Sequence, residues 1–215
     1  MKVLIPILIG LLVVGCGKKD DGNTGVVNPN KPSPKSTSEK LIADPIVEKA
    51  IRKYLKKPKG ELTKADLEKV TKLFFVGVSR LTDVKSLENL TQLKELHLQN
   101  NQLTDVKGLE TLIQLETLYL DNNQLTNVKG LENLTQLKEL YLFENQLTDV
   151  KGLERLTQLK SLGLSSNELT NVKGLENLTE LTLLSLFNNP DLTKAQIDQL
   201  QKALPKCKIG HDAKK

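Results

Sequence analysis

Residues 93–103 read LKELHLQNNQL, and the same leucine frame returns 22 residues later as LETLYLDNNQL and again as LKELYLFENQL. Counted from Leu90, the frame L-x-x-L-x-x-L-x-L-x-x-N-x-L-x-x-V-x-x-L is met by Leu90, Leu93, Leu96, Leu98, Asn101, Leu103, Val106 and Leu109. Its register recurs at Leu112, Leu134, Leu156 and Leu178. A unit this short cannot bury its apolar side alone, so the copies must stack on one another into a continuous core. One degenerate copy precedes the five clear ones: Phe74, Val76, Leu81, Val84 and Leu87 fit the frame, with Ser79 in the asparagine place.

This pattern, with LTDVKGL or LTNVKGL after the asparagine, resembles the leucine-rich repeat, and within it the short bacterial repeat of the internalin type, over roughly residues 67–192. The resemblance implies an α/β solenoid, a horseshoe with a short parallel sheet on its concave face. Elementary geometry agrees. The L-x-L segment suits a short strand with its leucines pointing inward, and an asparagine amide is able to satisfy backbone groups at the sharp bend that follows. Asn101, Asn123, Asn145, Asn167 and Asn189 are therefore expected to form a buried structural ladder.

Between the leucines the letters change, and side-chain alternation along a strand sends those positions to the open face of the sheet. Read across successive strands they form two columns: Phe75, His97, Tyr119, Tyr141, Gly163, Ser185, and Gly77, Gln99, Asp121, Phe143, Ser165, Phe187. The chain has 3 Tyr, 4 Phe and no Trp, and most of these rings fall in the two columns. Adjacent strands lie about 4.8 Å apart, so His97, Tyr119 and Tyr141 are placed to form a ladder beside Phe143. Glu95, Asp121, Glu139 and Glu144 flank them. Aromatic rings with a polar rim are the usual ingredients of a recognition surface. The candidate partner-binding residues are Phe75, His97, Tyr119, Asp121, Tyr141, Phe143, Glu144 and Phe187. Cross-strand ring packing that only stabilises the sheet is the plain alternative.

On the opposite wall Lys85, Lys107, Lys129, Lys151 and Lys173 recur with Glu88, Glu110, Glu132, Glu154 and Glu176 three residues on, the pattern of a solvated surface. From Leu90 to Asn189 there are 8 Lys and Arg against 13 Asp and Glu, a net charge of −5, while the whole chain carries +5. The flanks together therefore hold +10. An acidic concave face argues against nucleic acid as the partner. Only His97 and His211 represent histidine, and no nucleophile motif, phosphate loop or zinc spacing occurs, so no enzymatic activity, metal or cofactor is expected.

The two ends differ from the repeats. MKVLIPILIGLLVVGCGKK carries a lysine, an apolar run from Val3 to Val14 and small residues before a cysteine, which reads as a secretory signal over residues 1–15. The run is too short for a stable membrane span. Val13-Val14-Gly15-Cys16 resembles the lipobox of bacterial lipoproteins; that resemblance implies cleavage before Cys16 and its lipidation. Gly17 stands where, by the same resemblance, an aspartate retains such proteins in the inner membrane. An exported, lipid-anchored protein at the outer membrane or cell surface is the expectation. Residues 16–38 lack apolar side chains apart from Val26 and Val27 and read as a tether, with a reach of roughly 25 Å.

Residues 39–66 read as a helical cap, with Asp44 as N-cap, Pro45 at the first helical position, Ile46, Val47, Ala50, Ile51, Tyr54 and Leu55 on one face, and a Thr63–Asp66 capping box. Residues 193–215 read as a second cap and tail, with a Thr193–Gln196 box, Ile197, Leu200 and Leu204 on one face, and Cys207 as a small buried hydrophobe. A solenoid covered at both ends is expected to be a monomer. Three functions stay open on the sequence: binding of an unidentified protein through the concave face, binding of a cell-wall or host glycan through the same rings, and a scaffold without a dedicated ligand.

Overall fold

The computed structural model describes residues 40–77 and 81–214. The signal segment, Cys16, the tether and Ser79 lie outside the described residues. The fold is an α/β solenoid: among the described residues a sheet of seven parallel strands runs β1 to β7 in chain order, with helical segments at its two ends.

At the start, the Asp44 carboxylate accepts from the backbone N–H groups of Ile46 and Val47 at 2.6 and 3.0 Å, which launches α1 (Pro45–Leu55). This helix packs on β1 (Lys72–Phe74) and buries Val47 and Ile51. Ile46 and Tyr54 were expected on that face but stand exposed, and the Tyr54 hydroxyl reaches Thr71 Oγ1 at 2.9 Å. Next, α2 (Lys64–Leu67) opens with the reciprocal Thr63–Asp66 bonds of a capping box. Lys57 closes on the same carboxylate at 2.6 Å and holds it far below the ordinary aspartate range.

The remaining strands are β2 (Glu95–His97), β3 (Thr117–Tyr119), β4 (Glu139–Tyr141), β5 (Ser161–Gly163), β6 (Leu183–Ser185) and β7 (Lys208–Gly210). Each central strand pairs with the one 22 residues on, Glu95 with Thr117, Thr117 with Glu139, Glu139 with Ser161 and Ser161 with Leu183. Leu73, Leu96, Leu118, Leu140, Leu162 and Leu184 thus form one inward row, all buried. The strand β7 was not foreseen: the KIG of the tail adds an edge to the sheet after α3 (Lys194–Ala203), which begins with the Thr193–Gln196 box and buries Ile197 and Leu200. Cys207 is a buried free thiol beside them.

The first strand corrects the sequence reading. Phe74 pairs with His97 and is 56 % exposed, whereas Phe75 is 1 % exposed and belongs to the core. Leu73 and Phe75 are the inward pair, not Phe74 and Val76. The cause is one extra residue: Phe75 to Leu81 spans six positions where Leu98 to Leu103 spans five. Counting backward from Leu81 therefore slips the strand by one, and a slip of one exchanges its faces.

The five asparagines each make the same three-way link. Asn123 Nδ2 donates to Leu98 O and Leu120 O at 3.0 Å, while its Oδ1 accepts from Leu103 N at 3.1 Å. Asn101, Asn145, Asn167 and Asn189 repeat the arrangement. One side chain thereby joins its own strand end to the backbone of the repeat before it, at positions buried from water. On the outer wall, Glu110, Glu132, Glu154 and Glu176 accept from the N–H groups of Gly108, Gly130, Gly152 and Gly174. Those glutamates hold turns in place rather than merely interleaving charge with the lysines.

Candidate functional site

Strand alternation puts Phe74, His97, Tyr119 and Tyr141 in one outward row across β1 to β4. Their rings stack in sequence. Centroids lie 4.4 Å apart for Phe74–His97, 4.3 Å for His97–Tyr119 and 4.8 Å for Tyr119–Tyr141, with planes within 28° of parallel. These distances match the strand spacing, so the ring planes stand across the sheet like leaves of a book. Faces lie against faces, and the Tyr141 hydroxyl donates to Ser161 Oγ on the next strand at 3.3 Å.

The next position in the row is Gly163, and it is filled from the neighbouring column. Phe143 leans across so that a Cβ on Gly163 would lie 2.6 Å from its Cε2 and 2.8 Å from its Cε1. Its ring centroid is 5.9 Å from that of Tyr141. Phe143 is thus the fifth ring of the stack. At the far end Phe187 leans in the same way over Gly210 and remains 45 % exposed. Phe74 was missed from sequence through the slipped register; Gly163 was placed in its column, but a glycine gives no sign of what lies over it.

Electrostatics divide the face. At its β1 end Glu95 is held below the ordinary glutamate range, first by Lys72 at 2.6 Å and then by His97 at 2.9 Å. Since a carboxylate only accepts, His97 donates from Nε2, and its Nδ1 faces the Gln99 amide at 3.4 Å. Glu116 bridges Lys94 and Lys138 along the strand entrances. Around Tyr119 and Tyr141 the balance changes. Burial pushes the Asp121 carboxyl up, and the charge of Glu144 adds to the effect; its Oδ1 accepts from Phe143 N at 3.0 Å. Tyr119 is also pushed up, by burial and then by Glu139. Among the described residues, no Lys or Arg makes an ion pair with Asp121, Glu139 or Glu144.

The described residues contain no group of three or more His, Cys, Asp or Glu placed to hold a metal ion. No helix among them is long and apolar enough to cross a membrane.

Comparison with known proteins agrees with the architecture. The family described as leucine-rich repeats in two copies matches residues 68–111 and 113–155. Of the solved structures, an internalin, InlF, from Listeria monocytogenes is 27 % identical with a TM-score of 0.66, over 81 % of this chain and 58 % of the internalin. Internalin C2 of the same organism is 24 % identical with a TM-score of 0.55, over 80 % of this chain and 95 % of that one. The functional domain of InlJ, also from Listeria monocytogenes and described as including a cysteine ladder, is 23 % identical with a TM-score of 0.70, over 81 % and 38 %. Cys207 is the only cysteine among the described residues of this chain. No curated protein matches the sequence. The chain is a leucine-rich-repeat solenoid built like the internalins, and it spans just over half the length of InlF.

Proposed function

We propose that the concave face binds a protein partner and that a lipid on Cys16 holds the solenoid on the cell envelope, at the outer membrane or cell surface. The observation that carries the binding reading is the solvent-facing row Phe74, His97, Tyr119, Tyr141 and Phe143, bordered by carboxylates. Rigid rings at the centre of a patch, with polar groups around them, are where interface energy concentrates.

The orientation of the rings favours a protein over a glycan. A sugar stacks on an open ring face, and the faces of His97 and Tyr119 are covered on both sides by neighbours about 4.8 Å away or closer. What remains is a ridge of edges, which side chains of a protein are able to straddle. A scaffold without a ligand would use the same stacking for stability alone. Yet it would not account for the unpaired carboxylates gathered at the middle of the ridge.

A photo-crosslinking side chain placed at Thr117 on the concave sheet, and separately at Lys151 on the outer wall, tests the reading in native cells. Capture of one protein from position 117 and not from 151 is expected. Capture only from 151, or retention of the chain on a glycan array with no protein captured, overturns it. For the anchor, Cys16→Ala is expected to leave the precursor uncut and without fatty-acid label; continued labelling of that variant refutes lipidation at Cys16.

A further inference from the structure

The ridge is not electrically uniform, and the irregularity lies at one place. On the β1 side Glu95 has Lys72 and His97, and at the strand entrances Glu116 has Lys94 and Lys138. Beside Tyr141 and Phe143, three carboxylates have no cation among the described residues. Glu139 precedes Tyr141 by two positions and so shares its face, on the strand-entrance flank of the rings. Asp121 and Glu144 stand on the other flank, near enough for the charge of Glu144 to act on Asp121.

Two of the three carry a cost in the free protein, and the third adds a charge between neutral neighbours. Asp121 is half-buried with Phe143 N donating to its Oδ1 and no cation beside it among the described residues, and burial outweighs its backbone donors in pushing its carboxyl up. Glu144 occupies the left-handed bend, φ 52°, that other repeats give to Asn100, Asn122, Ser166 and Asn188. Asparagine suits that conformation better. Asparagine also forms a link there, from Asn122 Nδ2 to Asn100 Oδ1 at 2.8 Å, which a glutamate has no N–H to continue. Glu139 lies in the row that contains Thr117 and Ser161, both neutral, and adds its charge beside Tyr119. Local features that burden the folded chain and converge on one exposed patch mark a site whose compensation comes from outside.

We infer that the partner segment seated on this ridge carries more than one arginine or lysine, whose stems cross the edges of Tyr141 and Phe143 and whose heads reach Glu139 on one flank and Asp121 and Glu144 on the other. The inference rests on the concave-face reading and adds the chemistry of what binds there. Long basic side chains fit both halves of the patch, since their methylene stems cover apolar ring edges while the charged ends meet the carboxylates. Cation–π contact with the inner rings is not part of the fit, because their faces are taken. The pairing replaces lost hydration of Asp121 with a direct charge partner, and it steers association through the net negative field of the repeats.

The probe is a fluorescent peptide of alternating arginine and serine, set against the same peptide with citrulline, which keeps the shape of arginine and removes its charge. Both are titrated into the full-length protein and followed by anisotropy. The arginine peptide is expected to bind about tenfold tighter or more, with the difference shrinking as salt rises from roughly 0.05 to 0.5 M. Asp121→Asn, Glu139→Gln and Glu144→Gln together are expected to remove the preference. Glu88→Gln, Glu168→Gln and Glu180→Gln, which change net charge equally at other places, are expected to retain it.

Equal binding of the two peptides, or equal loss in both triple variants, overturns the inference. Native-cell capture separates this failure from that of the concave-face reading. If Tyr141→Ala and Phe143→Ala abolish capture while the concave triple variant keeps it, the face binds a partner and the basic segment is wrong. If neither set alters capture, both fail.

Discussion

The ring of Phe143 occupies the space that a side chain at residue 163 would fill, with Cε2 2.6 Å from where a Cβ on Gly163 would stand. A stack built from four strands is in this way extended by a residue of the neighbouring column, and the absence of one side chain is what permits it. Gly163 is buried under that ring although it lies on the open face of the sheet.

Gly163→Ala is therefore expected to turn Phe143 out of the row. The ring is free to move toward solvent, so the loss of stability should stay near the low end of overpacking, about 1 kcal/mol. Ring-current shifts of Tyr141 in proton NMR report the stacking directly. Unchanged shifts in the variant would mean that Phe143 does not hold this position in solution.

The register of the first strand has an equally direct test. Phe75→Ala removes a core ring and is expected to cost about 3 to 5 kcal/mol in urea unfolding, while Phe74→Ala, taken from an exposed position, should cost less than about 1 kcal/mol. Leu118→Ala and Lys129→Ala provide the matching pair in a regular repeat, at about 2 to 5 kcal/mol and within about 0.5 kcal/mol. A larger loss from Phe74→Ala than from Phe75→Ala would restore the register counted from Leu81.

These residues show where sequence suffices and where it does not. The asparagine positions and the leucine row were legible because a fixed period places them without any knowledge of contacts. Phe75 was misplaced because one extra residue before Leu81 breaks that period, and two adjacent phenylalanines look alike in either register. The edge strand Lys208–Gly210 carries a single apolar residue, Ile209, too little for alternation to announce a strand. The lean of Phe143 over Gly163 is a relation between strands, and no local pattern contains it. The glutamates that hold the outer turns were hidden because a carboxylate bound to a backbone N–H and one in water are the same letter.

Asp121 links the site to pH. Its pKa is raised in the folded chain, so between the ordinary aspartate value and that raised one the folded state binds more protons than the unfolded state. Stability contributed by this residue falls as pH rises through that window. Asp121→Asn keeps an acceptor for Phe143 N and removes the titration, so its advantage over the unaltered chain is expected to grow as pH rises to neutral. Glu95, Glu116 and Asp66, all held low, act in the opposite sense as pH falls and are common to both proteins. Parallel stability curves for the two proteins would show that Asp121 is not burdened by burial.

Glu144→Asn is expected to raise stability by about 0.5 to 1 kcal/mol, because the left-handed bend favours asparagine and the new amide is able to extend the link between Asn122 and Asn100. Thermal unfolding measures it. A loss of stability would show that Glu144 makes a favourable contact in the free chain.

The assignment of the two faces is decided by binding itself. Tyr119→Ala, Tyr141→Ala and Phe143→Ala are each expected to weaken the interaction with the captured protein by more than about 1 kcal/mol, since central aromatic anchors carry a disproportionate share of interface energy. The outer wall supplies the control. Lys107 and Lys151 reach only Asp105 and Asp149 across exposed pairs at 3.5 and 3.7 Å, so Lys107→Ala and Lys151→Ala should leave both folding and affinity nearly unchanged. Titration calorimetry with the captured protein, paired with unfolding curves of every variant, separates lost contact from lost structure. If the lysine variants abolish binding while the aromatic ones leave it intact, the recognition surface is on the outer wall, and the stacked rings serve only to hold neighbouring strands together.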